Sequence, residues 1–402
     1  MGSRVIAGIV AEFNPFHNGH ARLIERTRQA GATHIVAVMS GNFVQRGGPA
    51  CAPKLARANA AVAGGVDLVV ELPLPYAGAT AERFAFGAVG ALAGLGCVQA
   101  LSFGSECGDV ELLSRAADAV DSPYCGDYAK NLLPTGIPYA QARQQAVSHF
   151  YGPEVAGLLE SPNNILGVEY LRQLNRLGLP MQPFTIPREG VDHDAPEPQA
   201  GIASASLLRE RMELEGVEAL APFVPPASME VYRSAATGGL MPCSPHSLHM
   251  AVLAFLRRMD REWFSQLPDI SGEGLDNRLY EAVRQAASLE ELFSLAKTKR
   301  YPLSRIRRLV WNAFLGVPAD LMNLPVPYIR VLSFNRRGME ILSAANYTTR
   351  LPVSHSLRRL EDRGGDCARF ARLEALATDL YVLGLPTIQP CGTEYTHRIQ
   401  VR

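Results

Sequence analysis

Long apolar runs, tryptophan and lysine are all scarce in this 402-residue sequence. No stretch of about 18 uncharged apolar residues occurs, so we expect no transmembrane helix. The N-terminus lacks the charged and then apolar pattern of a secretory signal. The seven cysteines are scattered and never form a C-x-x-C pair, which argues against a disulfide framework or a zinc ribbon. These absences favour a protein of the reducing cytoplasm.

Basic and acidic residues are equal in number, but most of the basic residues are arginine. Lysine and arginine together number 39, as do aspartate and glutamate, so the formal net charge is zero. Only four of the basic residues are lysines. Arginine suits phosphate and RNA through its planar guanidinium group, but a genome rich in arginine codons gives the same composition. The arginine content alone therefore does not indicate a function. The length predicts two or three domains.

A buried strand, a turn and a helix are predicted at the start of the chain. Val5 to Val10 is apolar, Pro15 marks a turn, and Ala21 to Gln29 has helical spacing. His17 and His20 lie between them, three residues apart, so both rings face one side of the first helical turn. The unpaired N–H groups and positive dipole at a helix start suit an anion, above all phosphate. Two surface histidines that cap a helix are the alternative.

Four more apolar, β-rich segments follow in the first half of the chain. They are Ile35–Met39, Asp67–Leu72, Leu101–Glu106 and Met181–Ile186, with helical patterns between the earlier ones. This alternation predicts an α/β fold with a parallel sheet and helices on both faces. Because ligands bind at the carboxyl ends of such strands, we expect a nucleotide site at that edge of the sheet.

Polar loops supply two further candidate contacts for a nucleotide. One of Asn163 and Asn164 can cap the helix that follows, which leaves the other for a ligand. Ser204 and Ser206 precede a helix whose first turn carries Arg209. This pattern predicts a second anion site at a helix N-terminus, with an ordinary serine cap as the alternative.

Three other charged positions allow more than one interpretation. Arg46, in a glycine-flanked loop, could hold a carboxylate or phosphate, or be solvated. Lys54 opens a helix and is interpreted as a surface lysine, although it could face the site. His193 lies between two aspartates, Asp192 and Asp194, but the spacing places no third metal ligand, so we predict no metal site.

The second half has a different pattern, after a proline-rich connector at Ala221–Pro226. The segment Lys297–Arg308 carries six basic residues and no acid, and it runs into an apolar face with helical spacing. This predicts a basic amphipathic helix that could lie along a phosphate backbone; a solvated face is the alternative. Tyr328–Phe334 could be a strand or the start of a helix, and we expect Thr393–Arg402 to be loosely ordered.

The motifs of the first half also occur together in a recognisable order. They are Glu12-Phe-Asn-Pro-Phe-His-Asn-Gly-His20, Ser40-Gly-Asn-Phe43, Glu71-Leu-Pro73, Phe103-Gly-Ser-Glu106, Asn163-Asn-Ile-Leu-Gly167, Thr185-Ile-Pro-Arg188 and Ile202-Ala-Ser-Ala-Ser206. This series resembles the bacterial tRNA(Met) cytidine acetate ligase family, within the nucleotidyltransferase superfamily that carries the His-x-Gly-His signature. One departure is Phe13, where family members usually have tyrosine.

The resemblance implies a fold and an activity. The fold is a Rossmann-like, doubly wound parallel sheet in residues 1–220, with a helical insertion at about 121–160, followed by a mainly helical, basic tRNA-binding region in residues 221–402. The activity is ATP-dependent: acetate and ATP give acetyl-adenylate, and the acetyl group passes to N4 of the wobble cytidine of elongator tRNA(Met). Mg²⁺ is expected with the nucleotide, and no membrane or stable protein partner is implied.

Site residues are carried over position by position. The catalytic pair is His17 and His20. The expected ATP contacts are Val10, Ala11, Glu12, Phe13, Asn14, Pro15, Phe16, His17, Asn18, Gly19, His20, Ala21, Arg22, Leu23, Gly104, Asn163 and Arg188, with Ser204, Ser206 and Arg209 as possible phosphate contacts. The expected tRNA contacts are Lys297, Lys299, Arg300, Arg305 and Arg308.

Two other functions fit parts of the sequence. An adenylyltransferase acting on a small phosphorylated metabolite would need only the first 210 residues or so and would leave the basic second half unexplained. A non-enzymatic RNA-binding protein with a nucleotide-sensing domain would use both halves without chemistry. No residue stands out in the sequence as the general base for acetyl transfer.

Overall fold

The computed structural model describes residues 4–188, 201–267, 270 and 274–397. Its centre is a seven-stranded sheet in the order β5-β4-β1-β2-β3-β6-β7. The strands are β1 (Ile6–Ala11), β2 (His34–Ser40), β3 (Leu68–Leu72), β4 (Ala100–Ser105), β5 (Gln182–Pro187), β6 (Ile329–Phe334) and β7 (Val353–Ser354). Strands β1 to β5 are mutually parallel, as predicted.

Helices surround this sheet. In the first half they are α1 (Asn18–Gln29), α2 (Lys54–Ala63), α3 (Leu74–Ala77), α4 (Ala81–Leu95), α5 (Val110–Asp121), α6 (Pro123–Leu132), α7 (Tyr139–Tyr151), α8 (Pro153–Gly157), α9 (Pro162–Leu177) and α10 (Ala205–Glu215). In the second half they are α11 (Pro226–Thr237), α12 (Pro245–Arg257), α13 (Arg261–Ser265), α14 (Leu275–Gln285), α15 (Leu289–Ala296), α16 (Leu303–Leu315), α17 (Arg336–Thr348), α18 (Leu357–Glu361), α19 (Gly365–Tyr381) and α20 (Thr393–Thr396). Within the described residues no helix is both long and apolar enough to span a membrane.

The sheet separates two apolar cores, which explains its continuous hydrophobic strands. Every residue of β2 is buried. Val36 and Val38 point into the core that contains α4, whereas Ile35 and Met39 point into the core that contains α2. A strand covered on both faces has no polar positions to alternate with, so its sequence reads as an unbroken apolar run.

The strand order reverses between β1 and β4. From β1 the chain moves outward to β2 and β3 on one side, and later to β4 and β5 on the other. The helices that follow β1 and β4 therefore diverge, which opens a crevice at the carboxyl ends of these two strands. This crevice is where the sequence motifs converge.

The second half completes the sheet. The ambiguous segment Tyr328–Phe334 is a strand, since β6 pairs antiparallel with β3. β7 then pairs with the outer side of β6. Residues from opposite ends of the chain thus share one hydrogen-bonded layer.

A buried ionic cluster fixes this junction and corrects two expectations. Lys54 is not a surface lysine: it is fully buried, and its Nζ lies 2.7 Å from a Glu394 carboxylate oxygen and 3.6 Å from a Glu374 carboxylate oxygen. Glu71 contacts both Lys54 and Arg330. Of the segment Thr393–Arg402, residues 398–402 lie outside the described residues, and Thr393–Thr396 is helical rather than loosely ordered, because Glu394 supplies counter-charge to two buried cations. The cluster of Lys54, Glu71, Arg330, Glu374 and Glu394 is called the buried charge cluster below.

Candidate active site

A cleft of about 980 Å³ opens at the crevice between β1 and β4. Its floor is formed by the ends of β1, β4 and β5, and the N-terminal ends of α1, α9 and α10 face it. Its opposite side is formed by the loop 44–49 and by the first turns of α12 and α16. The cleft therefore extends from the predicted nucleotide site to the basic helix of the second half.

The two histidines cap α1 with defined tautomers. The backbone N–H of Gly19 donates to Nδ1 of His17 (3.1 Å), and the backbone N–H of His17 donates to Nδ1 of His20 (3.2 Å). A ring nitrogen that accepts a hydrogen bond carries no proton, so each neutral ring keeps its proton on Nε2. The pair can therefore offer two N–H donors in addition to those of the helix start.

Glycine is required between the histidines for a steric reason. A Cβ atom at Gly19 would lie 2.9 Å from Cε1 and 3.0 Å from Nδ1 of His17. The ring of His17 occupies that space because it folds back over the helix start to accept from the Gly19 N–H. The glycine of the signature thus permits the histidine cap itself.

His20 is held neutral by its surroundings. Burial, the neighbouring His17 and the charge of Arg188 together lower the pKa of His20 well below its ordinary value. The centroid of the His20 ring lies 5.0 Å from that of Phe13, in an edge-to-face arrangement, and 5.7 Å from that of Phe16. Phe13 is fully buried and has φ +46°, a left-handed conformation that bulky residues adopt rarely. Backbone strain of this kind concentrates at functional sites.

The cleft wall at the start of α9 is organised by Glu106 and not by an asparagine cap. The N-cap of α9 is Ser161, so the expectation that Asn163 or Asn164 caps this helix is wrong. Glu106 instead accepts hydrogen bonds from the backbone N–H groups of both asparagines (3.1 and 2.7 Å). A carboxylate at a helix start satisfies several N–H groups together and complements the dipole, which makes an asparagine cap unnecessary.

Asn163 and Arg188 meet beside this carboxylate. The guanidinium of Arg188 donates to Oδ1 of Asn163 (3.3 Å), and the side-chain amide of Asn163 donates to Glu106 (2.6 Å). Burial lowers the pKa of Arg188. Gly104 lies next to them, and a Cβ atom there would lie 3.4 Å from Cγ of Arg188 and 3.8 Å from the carbonyl oxygen of Ile186. The protein itself leaves room at Gly104 for a flat ligand.

The second anion site begins at Ser204. Its hydroxyl oxygen accepts from the backbone N–H of Leu207 (3.2 Å), so the serine is the N-cap of α10. Arg209 donates to the carbonyl oxygen of Asn14 (2.8 Å) and to the hydroxyl of Ser206 (3.1 Å). Burial lowers the pKa of Arg209. This arrangement ties the start of α10 to the turn after β1.

Arg57 fixes the backbone around the cleft and was not identified from the sequence. It is completely buried in α2 and donates to the backbone carbonyls of Glu12, Ser40, Gly41 and Ala52. One guanidinium group thereby holds together the carboxyl ends of β1 and β2. The available signal was an arginine among the small and apolar residues of the inner face of α2, which also carries Lys54.

The basic segment reaches the cleft. Lys297, Lys299 and Arg300 are exposed, and Ile306 and the apolar positions after it are buried, as the amphipathic pattern predicted. Arg307 and Arg308 line the cleft. Of these two arginines, only Arg308 was predicted from the sequence to bind a ligand.

The loop 44–49, which lines the cleft, contacts α16. A Cβ atom at Gly47 would lie 2.8 Å from the backbone nitrogen of Arg308 and 2.9 Å from atoms of Arg307. Gly47 also has φ +79°, which favours glycine. The loop therefore packs directly against the first turns of α16.

Comparisons with known proteins agree with this architecture. A family model described as HIGH Nucleotidyl Transferase matches residues 5–394. The tRNA(Met) cytidine acetate ligase of Thermoanaerobacter sp. (strain X514) is 35% identical over 98% of each chain, and that of Alkaliphilus metalliredigens is 36% identical over 94% of each chain. The chain belongs to the HIGH nucleotidyl transferases and, among them, to the tRNA(Met) cytidine acetate ligase family. The resemblance noted from the sequence motifs is confirmed.

Solved structures in this ligase family have the same fold. Apo TmcAL of Thermotoga maritima superposes with a TM-score of 0.94 at 31% identity, covering 99% of this chain and 100% of TmcAL. TmcAL bound with alpha-thio ATP superposes with a TM-score of 0.91 at 31% identity, covering 98% of this chain and 99% of TmcAL. The expected Rossmann-like fold class is confirmed.

Most of the residues expected to contact ATP in this ligase-family chain line the cleft. They are Val10, Ala11, Glu12, Phe13, Asn14, His17, Gly19, His20, Arg22, Leu23, Gly104, Asn163 and Arg188, joined by Arg46, Ser204, Ser206 and Arg209. Four others lie behind the cleft wall. Pro15 and Phe16 belong to the turn, Ala21 packs against the core, and the side-chain amide of Asn18 donates to the carbonyls of Gly201 and Pro222.

Metal ligands are not grouped in the described part of this family member. No three His, Cys, Asp or Glu residues come together there as a metal site would require. The segment Asp192-His193-Asp194 lies outside the described residues.

Proposed function

We propose that this chain is an ATP-dependent acetate ligase that forms acetyl-adenylate and acetylates N4 of the wobble cytidine of elongator tRNA(Met). The observation that carries the proposal is the continuous cleft between the histidine-capped start of α1 and the basic start of α16. A nucleotide site alone would suit many enzymes, but this one opens toward a surface suited to RNA. The relatives named tRNA(Met) cytidine acetate ligase support the same reaction.

In the first step, an acetate oxygen attacks the α-phosphorus of ATP and pyrophosphate leaves. Negative charge develops on the phosphate oxygens, and donors already in place stabilise it most effectively. We assign this role to the Nε2–H groups of His17 and His20, the N–H groups at the start of α1, and the Ser204–Arg209 turn. His20 serves as a neutral donor because its pKa is lowered well below the ordinary value.

Mg²⁺ enters this scheme as part of the substrate. Such an ion would be held mainly by phosphate oxygens and water. Such an ion neutralises charge on the triphosphate. The orientation of the phosphates is left to the helix starts and the histidines.

In the second step, the cytidine amine attacks the acetyl carbonyl and AMP leaves. The tRNA must reach the adenylate, so we propose that residues 1–220 activate acetate while residues 221–402 hold the tRNA through Lys297, Lys299, Arg300, Arg305 and Arg308. An enzyme with this substrate would work in the cytoplasm.

Two measurements test the function together. Acetate-dependent exchange between ATP and pyrophosphate reports adenylate formation, and mass analysis of nucleosides from treated elongator tRNA(Met) reports N4-acetylcytidine. Exchange that requires a phosphorylated metabolite would favour the adenylyltransferase alternative, and tRNA binding without exchange would favour a nucleotide-sensing protein.

Replacing His17 separates the two halves of the reaction. His17→Ala should lower exchange by about 100-fold or more, the usual effect of losing one transition-state donor, and should leave tRNA affinity nearly unchanged. His17→Asn should behave in the same way while keeping a good helix cap. His355→Ala is the matched control, since this exposed histidine does not line the cleft. Normal exchange by both His17 variants would refute the assignment.

A further inference from the structure

Glu12 is a carboxylate in a site built for anions. It follows β1 directly, is half-buried and lines the cleft beside the histidine-capped helix start. Glu12 is among the expected ATP contacts, but a carboxylate repels the phosphates of a nucleotide, so ATP binding alone leaves its negative charge unexplained. Its position calls for a role in which negative charge is useful.

The geometry directs Glu12 toward the RNA side of the cleft. The backbone N–H of Gln45 donates to its Oε1 at 2.7 Å. Gln45 belongs to the loop whose Gly47 packs against Arg307 and Arg308. The backbone carbonyl of Glu12 is held by Arg57, which fixes the base of the side chain. Glu12 is thus anchored between the nucleotide site and the first turns of α16.

Three titratable groups on neighbouring elements act on this carboxylate. Arg57 of α2 and Arg209 of α10 both interact with its charge. Tyr170 of α9 lies within electrostatic range, and burial together with the Glu12 charge raises the pKa of Tyr170. The carboxylate therefore lies among two cations and a phenol that come from three different helices.

We propose that Glu12 is the general base of acetyl transfer. This proposal rests on the function proposed above. The exocyclic amine of cytosine is a weak nucleophile because its lone pair is delocalised into the ring. As N4 attacks, the N4–carbonyl bond forms, the bond between the acetyl carbon and the phosphate oxygen breaks, and AMP departs with that bonding pair. The proton lost from N4 passes to the Glu12 carboxylate and then to solvent.

Glu12→Gln tests this role without removing the anchor. The amide oxygen can still accept from the Gln45 N–H, so exchange between ATP and pyrophosphate should fall much less than transfer does, even though Glu12 is also an expected ATP contact. Single-turnover transfer from preformed adenylate to tRNA should fall by about 100-fold to 10,000-fold, the range for losing a general base. Glu12→Asp, which retains a carboxylate, should recover part of the transfer rate.

Each other outcome is informative. Equal losses in exchange and transfer would overturn the proposal and assign Glu12 to ATP activation. Unchanged transfer in Glu12→Gln would overturn it as well. A wild-type enzyme that acetylates no tRNA would overturn the proposed function and this inference together, whereas a defect confined to the variant concerns Glu12 alone.

Discussion

Glu374 should make the protein less stable as the pH rises. Within the buried charge cluster three carboxylates face only two cations, Lys54 and Arg330. Burial and the neighbouring charge of Glu71 raise the pKa of Glu374 to about 8, while Lys54 and Arg330, against the opposing effect of burial, help to hold the pKa of Glu394 at about 2. Near neutral pH the cluster therefore balances two positive charges with two negative charges and one protonated acid.

The magnitude follows from linkage. The folded state keeps the Glu374 proton up to about pH 8, whereas the unfolded chain releases it near the ordinary value of 4.5. Between these values the folded state binds one more proton, so the free energy of unfolding falls by about 1.4 kcal/mol for each pH unit. Over the whole window the loss is at most about 5 kcal/mol. Glu394 adds no slope there, because it is already ionised in both the folded and the unfolded state.

Glu374→Gln should remove this slope. The amide can still accept from the backbone N–H of Leu74, as the carboxyl does now, and it remains neutral at every pH. Variant and wild type should be similar near pH 5, and the variant should be more stable by a few kcal/mol near pH 8. Urea unfolding at half-unit pH steps measures the difference, and Glu215→Gln, at an exposed position at the end of α10, is the control. A difference that stays constant from pH 5 to pH 8 would refute the charge assignment.

Three other substitutions probe the site and the basic segment. Gly19→Ala should displace the His17 ring, whose Cε1 would lie 2.9 Å from the new Cβ, and lower exchange by about 100-fold at a nearly unchanged melting temperature; wild-type exchange would contradict this. Gly104→Ala should fold normally but weaken ATP binding about tenfold or more in calorimetric titration, since a loss of about 1.4 kcal/mol is a factor of ten; unchanged affinity would show that no ligand uses this space. Replacing Lys299 and Arg300 together by alanine should make the salt dependence of tRNA binding shallower, by about 0.7 to 0.9 in the logarithmic slope for each phosphate that is no longer neutralised; an unaltered slope would place the tRNA elsewhere.

The features that were predicted well from the sequence are those that depend on residues close together in the chain. Strands β1 to β4 are mostly buried on both faces, so their apolar runs are visible without any knowledge of their partners. The anion site proposed at His17 and His20 depends on a helix start and a three-residue spacing, which are also local. Phosphate-binding motifs of this kind can therefore be recognised in a single sequence.

Long-range contacts account for the features that the sequence did not predict. Lys54 resembles a surface residue in the sequence because its carboxylate partners lie 17, 320 and 340 residues away along the chain. The same holds for Glu106, which replaces a local asparagine cap from a position more than 50 residues before α9. Arg57 donates hydrogen bonds only to backbone carbonyls, and no pattern of side chains in the sequence indicates such partners.

The buried charge cluster can be completed only late in the synthesis of the chain. Lys54 and Glu71 leave the ribosome early, but Glu394 is made about 320 residues after Glu71. At roughly 5–20 residues per second, that interval lasts on the order of 16 to 65 s. During this time Lys54 has one of its carboxylates but not the two supplied by α19 and α20, so the region around α2 stays hydrated and open. A nascent chain arrested before residue 394 should accordingly be cleaved by proteases near α2, at a place that the finished enzyme protects.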